Sequence, residues 1–549
     1  MTRALGGTEV RPELPTLPLV ATWQPGDRPA AFEPAGLAAV LERVREPAHV
    51  LLDRASKRIG VGFGGTVSPS ASAPGYGVLG TLPPLYPEWL GDRSFCEAHS
   101  VRFPYVAGEM ANGIATTRLV IAMARADMLG FFGAAGLGLS SVEHAVGELS
   151  RALGDRTNWG VNLIHSPSEP ALEEKTAELL IRHRVPSVSV SAFMRLTPAV
   201  VRCAVAGLRL DADGRIQRAR HIFAKVSRPE VAEQFMSPAP VALLNALVSR
   251  GELTETEARL AARVPVAEDV TVEADSGGHT DNRPLVSLLP VLLAQRDRLG
   301  LRYGYTRPIR VGAAGGLGTP AGVAAAFGLG AAYVVTGSVN QASVEAGLSD
   351  EAKAMLAEAD IADMVMAPAA DMFELGVRVQ VLKSATMFAP RATRLYELYQ
   401  SYQSLDDIPA AVRDRLEREV LGRSVAEVWQ QTAQFWAGRD PAELARAEQD
   451  PKHRMALVFR WYLGTSSRWA IDGDPSRRAD YQIWCGPAIG SFNRWAAESF
   501  LSPLEQRSVV QIARNLLEGA AVVSRAQQLR TYGVPVPAEA FRFTPRRLS

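Results

Sequence analysis

The chain has 549 residues, of which 47% are hydrophobic and 21% are charged, and its formal net charge is +1 at pH 7. This composition predicts a globular protein with a large core in two or three domains. The balanced charge excludes a strong field that would recruit nucleic acid or an anionic membrane surface. The three cysteines, Cys96, Cys203 and Cys485, lie far apart without metal-ligand spacing, so we expect no metal site and no disulfide framework.

Residues 1–100 are predicted to be an irregular N-terminal region because proline and glycine interrupt them repeatedly. Residues 1–18 contain charges and prolines but no apolar core, which argues against a secretory signal. No run of about 18 apolar residues follows that could cross a membrane, so we expect a cytoplasmic protein. Gly62-Phe63-Gly64-Gly65 could form a phosphate loop, but no convincing helix follows it, and we interpret it as a turn.

Between residues 101 and 340, short apolar runs alternate with amphipathic segments, which predicts an α/β fold. Eight runs are predicted to be buried parallel strands: 101–107, 128–132, 159–164, 185–190, 221–226, 270–274, 309–313 and 332–336. Helices are predicted between them, for example at 116–126, 141–153, 171–184, 285–299 and 319–329. Eight such units in about 240 residues predict a TIM (β/α)8 barrel. A doubly wound sheet is the alternative, but no early Gly-x-Gly-x-x-Gly follows the first strand.

Strand alternation is not evident beyond residue 340. Residues 341–470 are predicted to be a helical lid or substrate-binding region packed over the carboxyl ends of the barrel strands, with aromatic faces around Tyr396 and Trp429. Residues 471–549 are predicted to be a C-terminal helical region with a long helix at about 503–529.

Two strand ends carry paired glycines. Ser276-Gly277-Gly278-His279 follows the sixth predicted strand, and Ala314-Gly315-Gly316 follows the seventh and leads into a predicted helix. Glycines let a phosphate approach backbone N–H groups, and a helix N-terminus favours its negative charge. Gly337 and Ser338 follow the eighth strand, where such barrels often complete a phosphate site. The pattern therefore predicts a phosphate-bearing cofactor beside a titratable group, His279.

These motifs are similar, as a set, to those of the nitronate monooxygenase and flavin-dependent enoyl reductase superfamily. The segments that carry this resemblance are Met110-Ala111-Asn112-Gly113, Gly160-Val161-Asn162, Ser276-Gly277-Gly278-His279, Ala314-Gly315-Gly316 and Gly337-Ser338. A closer resemblance is to the trans-acting enoyl reductase family of bacterial polyketide and polyunsaturated fatty-acid synthases, and it covers about residues 45–535. It is carried by residues 222–230, 272–284, 336–341, 379–383, 386–388, 395–399, 481–488 and 492–493.

The closer resemblance implies FMN in the barrel and a reduced nicotinamide donor, NADPH with NADH as an alternative. The residues then expected to bind the cofactor are Met110, Ala111, Asn112, Asn162, Lys225, Gly277, Gly278, Ala314, Gly315, Gly316, Gly337 and Ser338. The resemblance also implies an enoyl thioester acceptor on an acyl carrier protein domain of a modular or iterative synthase. The oligomeric state is left open, a homodimer included. The rival hypotheses are a nitronate-type flavin oxygenase on the same barrel and a non-catalytic synthase scaffold. The long region after residue 340 disfavours the first rival, and His279 with both glycine pairs disfavours the second.

Three polar residues besides His279 are assigned roles at this site. Asn162 is expected in a buried strand, where its amide needs a partner, either backbone or the flavin ring edge. Lys225 either balances charge at the flavin N1/C2 carbonyl or pairs with Glu273 or Asp275. Asp275 either orients His279 or caps the following helix.

His279 is the predicted catalytic residue because related flavin reductases have a matching histidine in the active site. The glycines before it and the polar residues after it predict a mobile, solvated loop. In the implied reaction, hydride passes from the nicotinamide through FMN to the β-carbon. His279 then supplies a proton to the α-carbon or donates a hydrogen bond to the thioester carbonyl. Met387 and Phe388 either belong to a core or line the acyl channel, and we assign them to substrate binding.

Overall fold

The computed structural model describes residues 19, 21–167 and 169–548. The predictions made for residues 1–18 lie outside this range. The chain divides into a smaller unit, Met1–Tyr86 with Gly519–Phe543, and a larger unit, Pro87–Glu518 with Thr544–Ser549. Among the described residues, no helix combines the length and the apolar character that a membrane crossing requires.

The smaller unit contains an antiparallel sheet of five strands where the sequence predicted irregular structure. The sheet order is β3-β2-β5-β1-β4, and the strands are β1 (Thr22–Gln24), β2 (Ala48–Leu52), β3 (Ile59–Phe63), β4 (Thr66–Ser68) and β5 (Tyr76–Leu82). Leu37 and Leu41 of helix α1 (Pro34–Leu41) belong to the same hydrophobic core as Val50, Val61 and Leu529. A short 3-10 helix, Ala538–Phe541, also belongs to this unit.

The prediction of an irregular N-terminal region was wrong because its glycines are packing residues within strands. A Cβ at Gly62, within β3, would lie 2.8 Å from the ring of Trp23 and from a methyl group of Leu51. Glycine therefore permits a close approach there, although its presence weakens the apolar pattern of the strand. Gly64 and Gly65 have positive φ angles of 65° and 71° and form the expected turn between β3 and β4.

The larger unit is built on a closed barrel of parallel strands, and this confirms the predicted TIM barrel. Its strands are β6 (Tyr105–Ala107), β7 (Leu129–Phe132), β8 (Trp159–Ile164), β9 (Ser187–Ser191), β12 (His221–Val226), β13 (Asp269–Glu273), β15 (Arg310–Ala314) and β16 (Val334–Thr336). Each overlaps one of the predicted apolar runs. A separate hairpin, β10 (Arg209–Leu210) with β11 (Ile216–Gln217), precedes β12.

Helices alternate with the barrel strands along the chain. They are α2 (Arg93–His99), α3 (Thr117–Arg125), α4 (Leu139–Leu153), α5 (Pro170–Arg182), α6 (Pro198–Val205), α7 (Pro229–Met236), α8 (Val241–Ser249), α9 (Glu255–Ala261), α10 (Leu285–Tyr303) and α11 (Pro320–Gly328), with a 3-10 turn at Pro87–Trp89. Thr116, Thr197 and Thr319 begin three of them by accepting a backbone N–H of the first turn.

The region after the barrel is mostly helical, as predicted, but it also contains two strands that the sequence pattern did not reveal. A three-stranded antiparallel sheet has the order β14-β18-β17 and joins β14 (Gly278–His279) to β18 (Arg378–Leu382) and β17 (Met364–Pro368). A ribbon as short as β17–β18 is marginal by itself and gives a weak sequence signal. Its pairing with β14 supplies a third strand that no local pattern could reveal.

The other elements of this region are helical. They are α12 (Ser338–Gln341), α13 (Asp350–Ala357), α14 (Phe388–Ser401), α15 (Ala410–Leu416) continued by a π-helical turn (Glu417–Leu421), α16 (Val425–Arg439), α17 (Pro441–Gln449), α18 (Pro451–Asp472), α19 (Ala488–Ala496) and α20 (Val509–Thr531). Short 3-10 helices lie at Phe373–Leu375, Pro475–Asp480 and Leu504–Gln506.

A buried charged cluster lies at the amino ends of the barrel strands. Asp269, the first residue of β13, accepts hydrogen bonds from Arg310 Nε at 2.6 Å and Nη2 at 2.8 Å, and lies 3.1 Å from His99 Nε2. Burial and the neighbouring His99 lower the pKa of His221 to about 4. His99, His221 and Asp269 bring ligand atoms within 4.8 Å of one another. Arg310 already engages both Asp269 oxygens, which favours a structural role over metal binding.

Replacing Asp269 with alanine should destabilise the larger unit severely. The change leaves the buried Arg310 and His99 without their carboxylate partner, and breaking a buried ion pair costs roughly 3–5 kcal/mol. Calorimetry should show a markedly lower unfolding temperature. Asp155→Ala, at an exposed position of the same unit, should change the free energy of unfolding by less than about 0.5 kcal/mol. Equal effects of the two substitutions would refute a stabilising role for the cluster.

Candidate functional site

A cavity of about 800 Å³ lies at the carboxyl ends of the barrel strands. The loops after β6, β7, β8, β13, β15 and β16 contribute to its walls, and α16 and α18 complete them. The predicted site residues that line it are Met110, Ala111, Asn112, Asn162, Lys225, Gly277, Gly278, His279, Ala314, Gly315, Gly316, Gly337 and Ser338. The barrel therefore brings together strand ends that are far apart in sequence.

Met387 and Phe388 are not among the described residues that line this cavity. Phe388 is fully buried in the helical core, with its ring stacked on Tyr462 at a centroid distance of 6.1 Å. Met387 is 49% exposed, and its backbone N–H donates to Ala479 O. Their assignment to substrate binding was therefore wrong, because Phe388 begins α14 and packs in the helical core.

The aromatic residues of the cavity come instead from helices that the sequence described only as having aromatic faces. Phe435 and Trp436 of α16, Trp461 of α18 and Trp484, which lies after α18 and outside any helix, line the cavity. The spacing of the α16 residues was a usable signal, since Gln431, Phe435 and Arg439 share one helical face. Phe435 is 54% exposed, so this face is open to a ligand.

The two glycines after β15 differ in what surrounds them. Gly315 has a φ of 89°, and a Cβ there would lie 2.7 Å from Asp275 O. The backbone of the loop after β13 therefore requires glycine at this position. Gly316 has a φ of 71°, but a Cβ there would meet open space. Gly337, after β16, also leaves open space where a Cβ would stand. Gly316 and Gly337 thus leave a hollow in the cavity wall close to the start of α11, which suits a phosphate group.

Three neighbouring groups shape this part of the wall. Ser338 Oγ accepts a hydrogen bond from the Gly486 N–H at 2.9 Å, which leaves its own O–H free to donate to a ligand. A Cβ at Gly277 would lie 2.6 Å from Cys485 Cα, so Gly277 allows close packing of two backbones. Gly278 has a φ of 77°, a conformation that favours glycine.

Lys225 lies between two carboxylates. Its Nζ is 3.0 Å from Glu273 Oε1 and 3.2 Å from Glu109 Oε1. Burial lowers the pKa of Lys225, but the charges of both glutamates outweigh it and hold this pKa above its ordinary value. The pairing with Glu273 is one of the two alternatives that the sequence left open, whereas Glu109 was missed and Asp275 is not a partner. Lys225 has three N–H donors, so one remains for a ligand.

The two asparagines of the site are both hydrogen-bonded within the protein. Asn162 Nδ2 donates to Ser191 Oγ at 2.9 Å and to Ser189 O at 3.2 Å. Asn112 has a positive φ of 57°, and its Nδ2 donates to Ser467 Oγ at 3.3 Å. This bond ties the loop after β6 to α18.

His279 lies in a sheet rather than on a mobile loop. It belongs to β14 and pairs with Val379 of β18, and its Nε2 lies 3.2 Å from Asp371 Oδ1. Burial lowers the pKa of His279, but the close contact and charge of Asp371, with a contribution from Glu273, outweigh it and raise this pKa. Asp371 was missed because it lies far from His279 in sequence, in the segment between β17 and β18.

Asp275 has neither of its predicted roles. Its Oδ1 accepts hydrogen bonds from Gln380 Nε2 at 2.7 Å and Asn282 Nδ2 at 3.0 Å, so it does not orient His279. The residue that precedes α10 is Pro284, and no side chain caps that helix. Asp275 instead fastens the loop after β13 to β18.

Comparisons with known proteins identify relatives of the chain. Residues 93–419 match the nitronate monooxygenase family. The chain is 48% identical over 448 residues to a polyunsaturated fatty acid synthase component of Thraustochytrium sp., which covers 80% of this chain and 30% of that protein. It is 42% identical over 445 residues to polyketide biosynthesis protein PksE of Bacillus subtilis, which covers 81% of this chain and 58% of that protein. The chain thus spans less than two thirds of the length of either relative.

A solved structure identifies the branch of the family. The enoyl reductase domain of MlnA, from the macrolactin biosynthesis cluster of Bacillus amyloliquefaciens, aligns with a TM-score of 0.77 at 34% identity, covering 81% of this chain and 99% of that domain. The chain belongs to the enoyl reductase branch of the nitronate monooxygenase family. This finding confirms the family resemblance inferred from the sequence motifs.

The chain also has a second family match, over residues 402–481. This segment matches the inserted helical domain of [acyl-carrier-protein] S-malonyltransferase. It includes α16, α17 and α18, and thus the helices that carry Phe435, Trp436 and Trp461 of the cavity wall. The cavity is therefore bounded by two segments with separate family matches, the barrel and the helical segment.

Proposed function

We propose that this protein is an FMN-dependent enoyl reductase acting in trans on an enoyl thioester of an acyl carrier protein, in polyketide or polyunsaturated fatty-acid synthesis. NADPH is the proposed donor, with NADH as an alternative. The observation that carries the proposal is one cavity that holds both the glycine hollow at Gly316 and Gly337 and the pair of His279 with Asp371. Family membership supports flavin chemistry at this site.

The residues present fit the cofactor. Gly315, Gly316, Gly337 and Ser338 would hold its phosphate in the hollow that a Cβ would fill, and Lys225 and Asn162 would face its ring system. When bound, FMN would carry a hydride from the reduced nicotinamide to the β-carbon of the enoyl group.

The residues of the chain supply the remaining chemistry. His279 donates a proton to the α-carbon or a hydrogen bond to the thioester carbonyl, where negative charge develops. Met110, Leu457 and Trp461 are apolar residues of the cavity wall and would limit the access of water to a bound substrate. Exclusion of water strengthens the interaction of a charged imidazole with the developing enolate.

The test is reoxidation of the reduced, purified flavoprotein under anaerobic conditions. Crotonyl thioester should reoxidise it rapidly. In a second anaerobic experiment an alkyl nitronate, which is an electron donor, is mixed with the oxidised flavoprotein and should not reduce it. Rapid reduction by the nitronate, without reoxidation by the crotonyl thioester, would favour the rival flavin oxygenase. A purified protein without flavin that binds no added FMN would favour the scaffold.

Arg468 of α18 is the proposed contact for the phosphate of the carrier's phosphopantetheine arm. Three other basic side chains of the cavity are committed to carboxylates at shorter distances: Lys225 to Glu109 and Glu273, Arg439 to Glu169 and Arg460 to Glu374. Arg468 lies 3.8 Å from Asp472 within its own helix and is 58% exposed. A guanidinium in this position can bind a phosphodiester.

Arg468→Ala is therefore expected to raise KM for crotonyl-carrier protein about fivefold, since an exposed charge pair contributes up to about 1 kcal/mol. Steady-state kinetics should show no change with crotonyl N-acetylcysteamine, which lacks the phosphate. Arg454→Ala, on an exposed position of the same helix, is the matched control. A higher KM for NADPH, with the carrier substrate unaffected, would assign Arg468 to the nicotinamide instead.

A further inference from the structure

The three-stranded sheet β14-β18-β17, which is separate from the barrel sheet, fixes the position of His279. Its strand β14 is hydrogen-bonded to β18, which in turn pairs with β17, and the segment between β17 and β18 contains Asp371. Gln380 of β18 also donates to Asp275 Oδ1 at 2.7 Å and to Ser276 O at 2.8 Å. The histidine strand and the segment that contains the aspartate therefore form one sheet, and their relative position is set by backbone pairing.

The contact between the two side chains opens onto the cavity. Asp371 is 50% exposed and His279 is 32% exposed, and both line the cavity. An ion pair as exposed as this one contributes little to stability. A purely structural role thus gives little reason for a carboxylate at this place, whereas a role toward a ligand does.

We propose that Asp371 is a positioning residue that holds the His279 ring through Nε2 and keeps the imidazole in its protonated form. This inference rests on the enoyl reductase function proposed above. His279 Nε2 is buried and lies 3.2 Å from Asp371 Oδ1, as an ion pair without the geometry of a hydrogen bond. Because Nε2 faces the carboxylate, we assign the donated proton to Nδ1. The arrangement follows the general pattern in which a carboxylate orients a histidine and stabilises its charged form.

The charges around His279 favour its protonated form. Asp371 and Glu273 both favour the imidazolium, and Glu273 is itself paired with Lys225, which also contacts Glu109. Arg460 faces Asp371 and helps to keep its carboxyl group ionised, although burial acts against this. Because the pKa of His279 is raised, the protonated donor persists to higher pH and is lost as the pH rises through this pKa.

Asp371→Asn keeps the shape of the side chain and removes its charge. Flavin reoxidation by crotonyl thioester should then lose activity at lower pH, with the basic limb of the pH profile shifted down by about one unit. The rate above both midpoints should fall about tenfold, and the rate below both should approach that of the unmodified protein. Asp371→Glu keeps the negative charge, so the basic limb of its pH profile should lie close to that of the unmodified protein.

The matched control is Glu374→Gln, which removes a carboxylate three residues further along the chain. Glu374 pairs with Arg460 and lies near His453, not near His279. Its substitution should leave the midpoint of the pH profile in place. A uniform loss of rate at all pH values in Asp371→Asn, with an unshifted midpoint, would overturn the proposal.

An NMR titration gives a readout that does not depend on turnover. The Cε1–H signal of His279, one of eight histidines, can be assigned by its absence in His279→Ala. Its midpoint should move to lower pH in Asp371→Asn and stay in place in Glu374→Gln. An unmoved midpoint contradicts the role of Asp371. The midpoint could move in Asp371→Asn although no enoyl thioester reoxidises the flavin of the unmodified protein. That result would retain the coupling between Asp371 and His279 but refute the proposed function.

Discussion

His279→Ala should slow reoxidation of the reduced flavin by an enoyl thioester by roughly 10²–10⁴-fold, the usual contribution of a positioned acid or base. Reduction by the nicotinamide needs no proton donor to carbon, so this half-reaction should change little. Flavin binding should survive because the phosphate hollow lies after β15 and β16, whereas His279 is in β14. Stopped-flow measurement of the two half-reactions separates these effects.

The control for this substitution is His144→Ala, at an exposed position of α4. It should alter neither half-reaction. Unchanged reoxidation in His279→Ala would remove His279 from the mechanism, while equal damage to both half-reactions would make it a residue that positions the cofactor.

Gly316→Asp should abolish FMN binding, so that the protein purifies without colour. The new side chain would occupy the open space beside Gly316 and place a negative charge where the phosphate is proposed to lie. The φ of 71° adds strain of about 1 kcal/mol for a residue with a Cβ. Flavin content can be measured by absorbance after purification and again after incubation with excess FMN.

Gly214→Asp separates the loss of the site from backbone strain. Gly214 has a φ of 73° with open space around its Cβ position, but it lies in the turn between β10 and β11 and does not line the cavity. The two variants should have similar unfolding temperatures without FMN, and only Gly316→Asp should lose the cofactor. A full flavin complement in Gly316→Asp would show that the phosphate site is misplaced.

The barrel was predictable because parallel strands that are buried on both faces leave continuous apolar runs. The strand ends then followed from topology, which brings Asn162, Lys225, His279 and Gly316 to one cavity whatever their separation in sequence. Local pattern also gave the candidate partners of Lys225, and the structure selected Glu273 from them.

What the sequence could not give are contacts between segments without a shared pattern. Asp371 comes to His279 only through the pairing of β14 with β18, and nothing near either residue predicts that pairing. Phe388 was misassigned because an apolar residue in a sequence looks the same whether it faces a ligand or a core. In the smaller unit, Gly62 was interpreted as part of a turn, but it lies within β3, where the absence of a Cβ leaves room for the Trp23 ring.

The β17–β18 ribbon has a consequence for exchanging parts between relatives. Residues 101–340 would include every barrel strand, but a chimera with its junction at residue 340 would give His279 a foreign strand neighbour and a foreign counter-charge. Such a chimera could fold and bind flavin and yet titrate differently. The ribbon should therefore be inherited with the barrel, and the junction of such a chimera should lie after Leu382.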